Sequence, residues 1–158
     1  MAVDYYLKLD GIEGEAVSTG FEKTIQLLSY SLGGSQTTSV AGTGGSGAGK
    51  VDLSDLSVMK YYDKASPAVF KALVTGTHIK TGVLSATKAG GGGKPFLKIS
   101  FGELFITSQQ ISASSEIPTE SVSFSYNTIK VEYSTQNEQG ILTAVAAVNY
   151  DVKTNKPS

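Results

Sequence analysis

Apolar and polar residues alternate with a period of two along most of the chain, the pattern of strands that bury one face. In the first run Val3, Tyr5, Leu7 and Leu9 share one face and Asp4, Tyr6, Lys8 and Asp10 the other, and Gly11 and Gly14 end it. A second run covers residues 23–32 and stops at Gly33 and Gly34, a third covers 53–62 and a fourth 78–88. The longest run is 96–111. Leu97, Ile99 and Phe101 share a face there; beyond Gly102 the phase slips and Leu104 and Ile106 take over. A one-residue slip beside a glycine predicts a β-bulge. The next strand behaves alike, with Val122, Phe124 and Tyr126 on one parity and Ile129, Val131 and Tyr133 on the other. The last run places Leu142, Ala144, Ala146, Val148, Tyr150 and Val152 on one side.

One segment breaks the alternation. Val69, Phe70, Leu73 and Val74 form an apolar stripe at helical spacing. Ser66 fits an N-cap, Pro67 the first helical position and Gly76 the residue after the helix. One helix among about seven strands predicts a barrel or sandwich with the helix on its flank or end. The strand phase slips favour closure, because bulges bend and coil strands. From the residues alone the expected fold is mainly β, a barrel or sandwich of about seven strands with one short α-helix. The 158 residues suit one domain, 1–158. Within it, residues 33–50 (GGSQTTSVAGTGGSGAGK) read as a Gly/Ser-rich extended loop with almost nothing to bury. Residues 89–93 form a shorter one.

Composition narrows the function classes. Formal net charge is −1 and only 17% of residues are charged, so long-range repulsion between copies is weak and self-association is permitted. Arginine is absent, and arginine is the usual residue for bidentate phosphate and base-edge contacts. With charge balanced as well, nucleic-acid binding is not expected. Cysteine is absent too, which excludes disulfides, thiolate catalysis and cysteine zinc sites. The opening residues have no basic n-region and no apolar core of signal-peptide length, and no run approaches a membrane span. The expectation is synthesis in the cytoplasm, no membrane insertion, and export, where it occurs, without a cleaved signal.

Candidate chemistry is sparse. Gly44 to Lys50 has the glycine and lysine spacing of a phosphate-binding loop. The following residue is Val51 instead of Ser or Thr, and the continuation VDLSDLSV alternates like a strand where a phosphate loop must open a helix. A flexible loop is the better reading. His78 is the single histidine and reads as a strand-edge residue just past the helix. The carboxylates Asp10, Glu13, Glu15, Asp52 and Asp55 match no calcium-loop spacing and read as solvated turn residues. No catalytic residue, metal ligand or cofactor site is assigned. Lys60, Asp63 and Lys64 flank the helix entry; they could pair with a neighbouring subunit, or serve as ordinary surface charge with Asp63 near the positive end of the helix dipole.

Several landmarks fall in one order. The opening AVDYYLKLDGIEGE, the middle GKVDLSDLSVMKYYDKASPAVFKALVTGTHI with its K-x-x-D-K-x-S-P helix entry, and the later PFLKISFGELFITSQQIS and IPTESVSFSYNTIKVEY resemble the Hcp (haemolysin-coregulated protein) family over nearly the whole chain. The middle motif is the most specific; the departure is the glycine-rich loop before Lys50. The resemblance implies a structural tube protein of a type VI secretion system: a small β-barrel of about seven to nine antiparallel strands with one short α-helix, assembling into a homohexameric ring whose copies stack into a tube inside a contractile sheath. It implies contact with a tip spike protein and a baseplate, and small effector proteins in the lumen. The candidate subunit or ring–ring contacts are Gly42, Gly44, Gly45, Gly47, Gly49 and Lys50 in the loop, with Lys60, Asp63 and Lys64. Three other readings stay open at this point: a phage-tail-tube-like subunit, a secreted β-sandwich ligand-binding module, and a nucleotide-binding enzyme resting on Gly44–Lys50.

Overall fold

The period-two runs fold into strands that close on one another. A computed structural model describes residues 2–36, 51–88 and 93–157. In chain order the elements are β1 (Val3–Leu9), β2 (Ile25–Leu27), β3 (Ser29–Ser31), β4 (Gly34–Gln36), β5 (Val51–Leu53), β6 (Leu56–Tyr61), α1 (Ser66–Thr75), β7 (Ile79–Lys88), β8 (Leu97–Ser112), β9 (Thr119–Gln136), β10 (Leu142–Asp151) and β11 (Lys156–Pro157). All recorded pairings are antiparallel.

Closure depends on a strand that changes partner midway. β2 pairs with β1, with Tyr5 opposite Leu27 and Leu7 opposite Ile25. β3 follows at once and pairs with β6, with Tyr30 opposite Val58. The run expected at 23–32 is thus two strands, divided at exposed Leu28, whose N–H donates to the Met59 carbonyl at 2.7 Å. The circuit β1–β7–β8–β9–β6–β3, returning through β2 to β1, encloses the core. A barrel, not a sandwich, is therefore the architecture. β9 is long enough to pair β6 with its first half and β10 with its second, so β10 extends the sheet outside the circuit.

Inward positions are apolar as the alternation predicts. Leu7, Leu9, Ile25, Leu27, Leu56, Val58, Leu84, Ile99, Phe101, Leu104, Val122 and Phe124 are all buried in one cluster, which Val69 and Ala72 of α1 join. Burying each large side chain contributes about 1.5–3 kcal/mol before conformational entropy is set against it. Tyr6, on the opposite parity, is buried as well. The segment after β1 folds back over it, Phe21 stacks on its ring at 4.5 Å, and its hydroxyl donates to Ser18 Oγ at 2.7 Å.

The phase slip at Gly102 is real, and its cause differs from the expected bulge. Ile99 and Phe101 are buried, then Leu104 and Ile106. Yet the β8–β9 register is unbroken there, since Gly102 faces Thr128 and Leu104 faces Tyr126. Both strands change face together, with Glu103 at a φ of 51° taking up the turn in β8. A Cβ at Gly102 would overlap the Thr128 hydroxyl, so a larger residue there requires the Thr128 side chain to turn away. The register shift itself lies between Ile106 and Ser108.

Two further corrections concern the helix entry and the loop. Ser66 is the first residue of α1, not its cap; Ala65 precedes it and supplies no side-chain cap, while Gly76 ends the helix in the left-handed region as expected. Residues 33–50 are not wholly loop. Gly34–Gln36 pairs with Val51–Leu53 as a separate two-stranded ribbon, with Ser35 opposite Asp52.

Candidate assembly surface

Of the proposed contact residues, Gly42, Gly44, Gly45, Gly47, Gly49 and Lys50 lie outside the described residues. The ribbon that carries their segment is described, and Val51 opens a strand instead of a helix. That removes the context a phosphate-binding loop needs. His78 is exposed beside Phe105 just ahead of β7. Asp10, Glu13, Glu15, Asp52 and Asp55 are exposed. Among the described residues no group of His, Asp or Glu is placed to hold a metal.

Lys60 is not on the surface. It is 1% exposed, so it offers nothing to a neighbouring subunit. Its position follows from the alternation itself: Leu56, Val58 and Lys60 share the inward face of β6. Glu120 shares the inward face of β9 with Val122 and Phe124, is also 1% exposed, and stands directly opposite Lys60. The Lys60 ammonium donates to Glu120, to Asp63 Oδ1 at 2.8 Å and to Ser66 Oγ at 2.9 Å. The Ser66 hydroxyl donates to Glu120 Oε1 at 2.6 Å, and Gln109 Nε2 of β8 donates to Glu120 Oε2 at 2.6 Å. Asp63 accepts the Ala65 N–H at 3.0 Å and its own N–H donates to Ser66 Oγ at 3.1 Å, which shapes the turn into α1. Burial alone raises the Glu120 pKa. Hydrogen bonds from Lys60, Ser66 and Gln109, with the Lys60 charge, outweigh it and hold the carboxyl below its ordinary value. Lys64 is exposed and lies 3.5 Å from Glu13, a pair that contributes little to stability. Glu120, Ser66 and Gln109 were missed as site residues. The available signal was a lysine and a glutamate of opposite sign, both on core-facing parity.

What the surface does offer is apolar. β10 pairs β9 along one edge, while among the described residues its other edge is paired only at Tyr150 and Asp151, by β11. From Leu142 to Tyr150 it carries no charged residue. Val145 and Val148 are 59% and 58% exposed, and Tyr133 and Ile141 beside them are exposed too. The register shifts between Ala144 and Ala146, taking Val145 out of the ladder. Isolated edges are normally protected by lysine, proline or a cover; this stretch has none of these among the described residues. A second patch lies at the other end of β9, where Tyr61, Tyr62, Ile111 and Ile117 are exposed around the β8–β9 turn. At ~3.3 Å per residue the two ends of the 18-residue β9 are separated by about 55 Å along the strand. Two unlike patches so placed suit head-to-tail association, in which one face meets a different face of the next copy.

Residues 6–133 match the family described as "Type VI secretion system effector, Hcp". The chain belongs to the Hcp family. Protein hcp1 of Pseudomonas aeruginosa strain PAO1 is 34% identical over 143 residues, covering 89% of this chain and 88% of that one. Among solved structures, a type six secretion system protein superposes with a TM-score of 0.92 at 28% identity, covering 99% of this chain and all of its own. Hcp1 from Salmonella typhimurium superposes with a TM-score of 0.81 at 33% identity over the full length of both. A type VI secretion system effector from Yersinia pestis gives 0.74 at 28% identity, covering 94% of this chain and all of its own. As an Hcp protein the chain is a tube subunit of the type VI secretion system, a structural protein that is secreted. No helix among the described residues is long and apolar enough to cross a membrane.

Proposed function

We propose that the chain acts without catalysis as the repeating unit of a hexameric ring, and that rings stack into the expelled tube. The observation that carries this reading is the open, uncharged edge of β10 at one end of β9, with a different apolar patch at the other. A head-to-tail contact repeated by rotation closes a ring, whereas a self-matching contact would stop at a dimer. The tube would adjoin the tip spike protein, the baseplate and the sheath, and its lumen would carry small effector proteins. Export would need no cleaved signal, since the tube is its own vehicle.

Ring stacking falls to the Gly/Ser-rich arm. Its ends are clamped together by β4 and β5, a ribbon separate from the barrel sheet, which gives the arm a fixed base. Ordering such a segment on a neighbour costs entropy, so stacking is expected to be weak and concentration-dependent. Deletion of residues 42–49 should leave rings intact and shorten or abolish stacks in negative-stain micrographs. Stacks of unchanged length would remove the arm from the account.

A further inference from the structure

The ten-residue helix α1 has a small apolar seat. Only Ser66, Val69 and Ala72 are buried, Leu73 is half-buried, and Phe70 and Val74 face outward. No acidic residue stands in its first turn and no basic residue in its last. A helix this short is marginal alone and exists because it is docked. The ladder that closes the barrel does not include it.

Its firmest attachment is polar. Ser66 sits in the buried cluster where β6, β8 and β9 meet, and the Glu120 carboxylate is the hub: Lys60 and Ser66 share one oxygen, and Gln109 takes the other. Gln109 Nε2 also lies 3.5 Å from the Ser66 carbonyl. The charged groups facing this hub are Lys60 from β6 and Asp63 from the turn. Farther out, Lys64 engages Glu13 through its ammonium, and Glu15 through its backbone N–H at 3.2 Å. We infer that α1 is a separately releasable element of the fold, and that Lys60, Glu120, Ser66 and Gln109 form the latch that holds it to the barrel. Removing the charge of Glu120 leaves the buried Lys60 ammonium with Asp63 as its charged partner and the Ser66 hydroxyl beside it. The helix entry can relieve that by moving into water, at the cost of the contacts that Ala65, Val69, Ala72 and Leu73 make with the apolar cluster; the barrel strands cannot follow without breaking their ladders.

The latch reads out directly by hydrogen exchange on the full chain, whatever its state of assembly. In Glu120→Gln at neutral pH, the amides of Phe70 to Thr77 should exchange at least about tenfold faster than in the wild type, while those of Leu84, Ile99 and Phe101 keep wild-type protection, the signature of sub-global opening. Equal acceleration everywhere would make the cluster part of the global core, and no acceleration would remove the latch; either result overturns the inference. Should the variant not fold, the wild type supplies the same test. On acidification from pH 6 to 3.5, with intrinsic rates corrected, helix protection should fall before that of β7 and β8. Simultaneous loss would refute the latch.

Discussion

Replacing Val145 by lysine sets a charge on the apolar edge of β10 without touching the core. Val145 is 59% exposed and Val148 58% exposed in the single chain. Full burial of a valine contributes about 1.5–3 kcal/mol, so covering the exposed part of Val145 contributes about 1–2 kcal/mol to each seam. Lysine forfeits that gain and brings an ammonium that must be desolvated or must reach past the contact to water, and its long stem makes the second route the cheaper one. The combined loss is on the order of 2–3 kcal/mol per seam, which weakens each contact roughly 30- to 150-fold. A ring has one seam per subunit, so the loss recurs around the circuit. Sedimentation velocity over a concentration series is the assay: the variant should run as monomer where the wild type runs as a ring. Its thermal midpoint should match that of a wild-type monomer, because Val145 lies outside the buried cluster. Rings at wild-type concentrations would show that β10 is not at the seam and would refute the argument from its exposed edge.

Two predictions concern the buried charges. Lys60→Met should cost about 3–5 kcal/mol in denaturant unfolding, because it strands the Glu120 carboxylate in the core, whereas Lys60→Met with Glu120→Leu should recover most of that loss. A double variant as unstable as the single one would mean that the pair itself, not the stranded charge, sets the cost. Stability should also fall in acid. The folded pKa of Glu120 lies below the ordinary 4.5, so the carboxylate's contribution is complete above that value and disappears as pH falls through the folded one. Thermal midpoints from pH 7 to 3 should show this slope, and Glu120→Gln should flatten it.

The barrel was legible because its signal is periodic and local. The helix, the long strands and the face of each inward residue follow from spacing two or spacing 3.6. The partner change at Leu28 was not legible: residues 25–31 look like one strand, and only three-dimensional closure decides that the first half serves β1 and the second β6. The β4–β5 ribbon was hidden for a related reason. Gly34–Gln36 has no apolar face, and its pairing comes from backbone bonds that composition does not report. Lys60 was misplaced because residue type outweighed parity. A lysine is almost never buried without a partner, and its partner Glu120 lies 60 residues away on another strand. The edge of β10 was half visible: the alternation marked Ala144, Ala146 and Val148 as apolar, but nothing local showed that, among the described residues, β9 alone pairs with that stretch.

The account rests on copies of this chain closing around a shared axis. Class averages of the purified protein in negative stain, taken beside Val145→Lys at the same concentration, test that most directly. The expected result is annular particles with sixfold symmetry in the wild type and none in the variant. A wild type that remains monomeric at high concentration would contradict the claim.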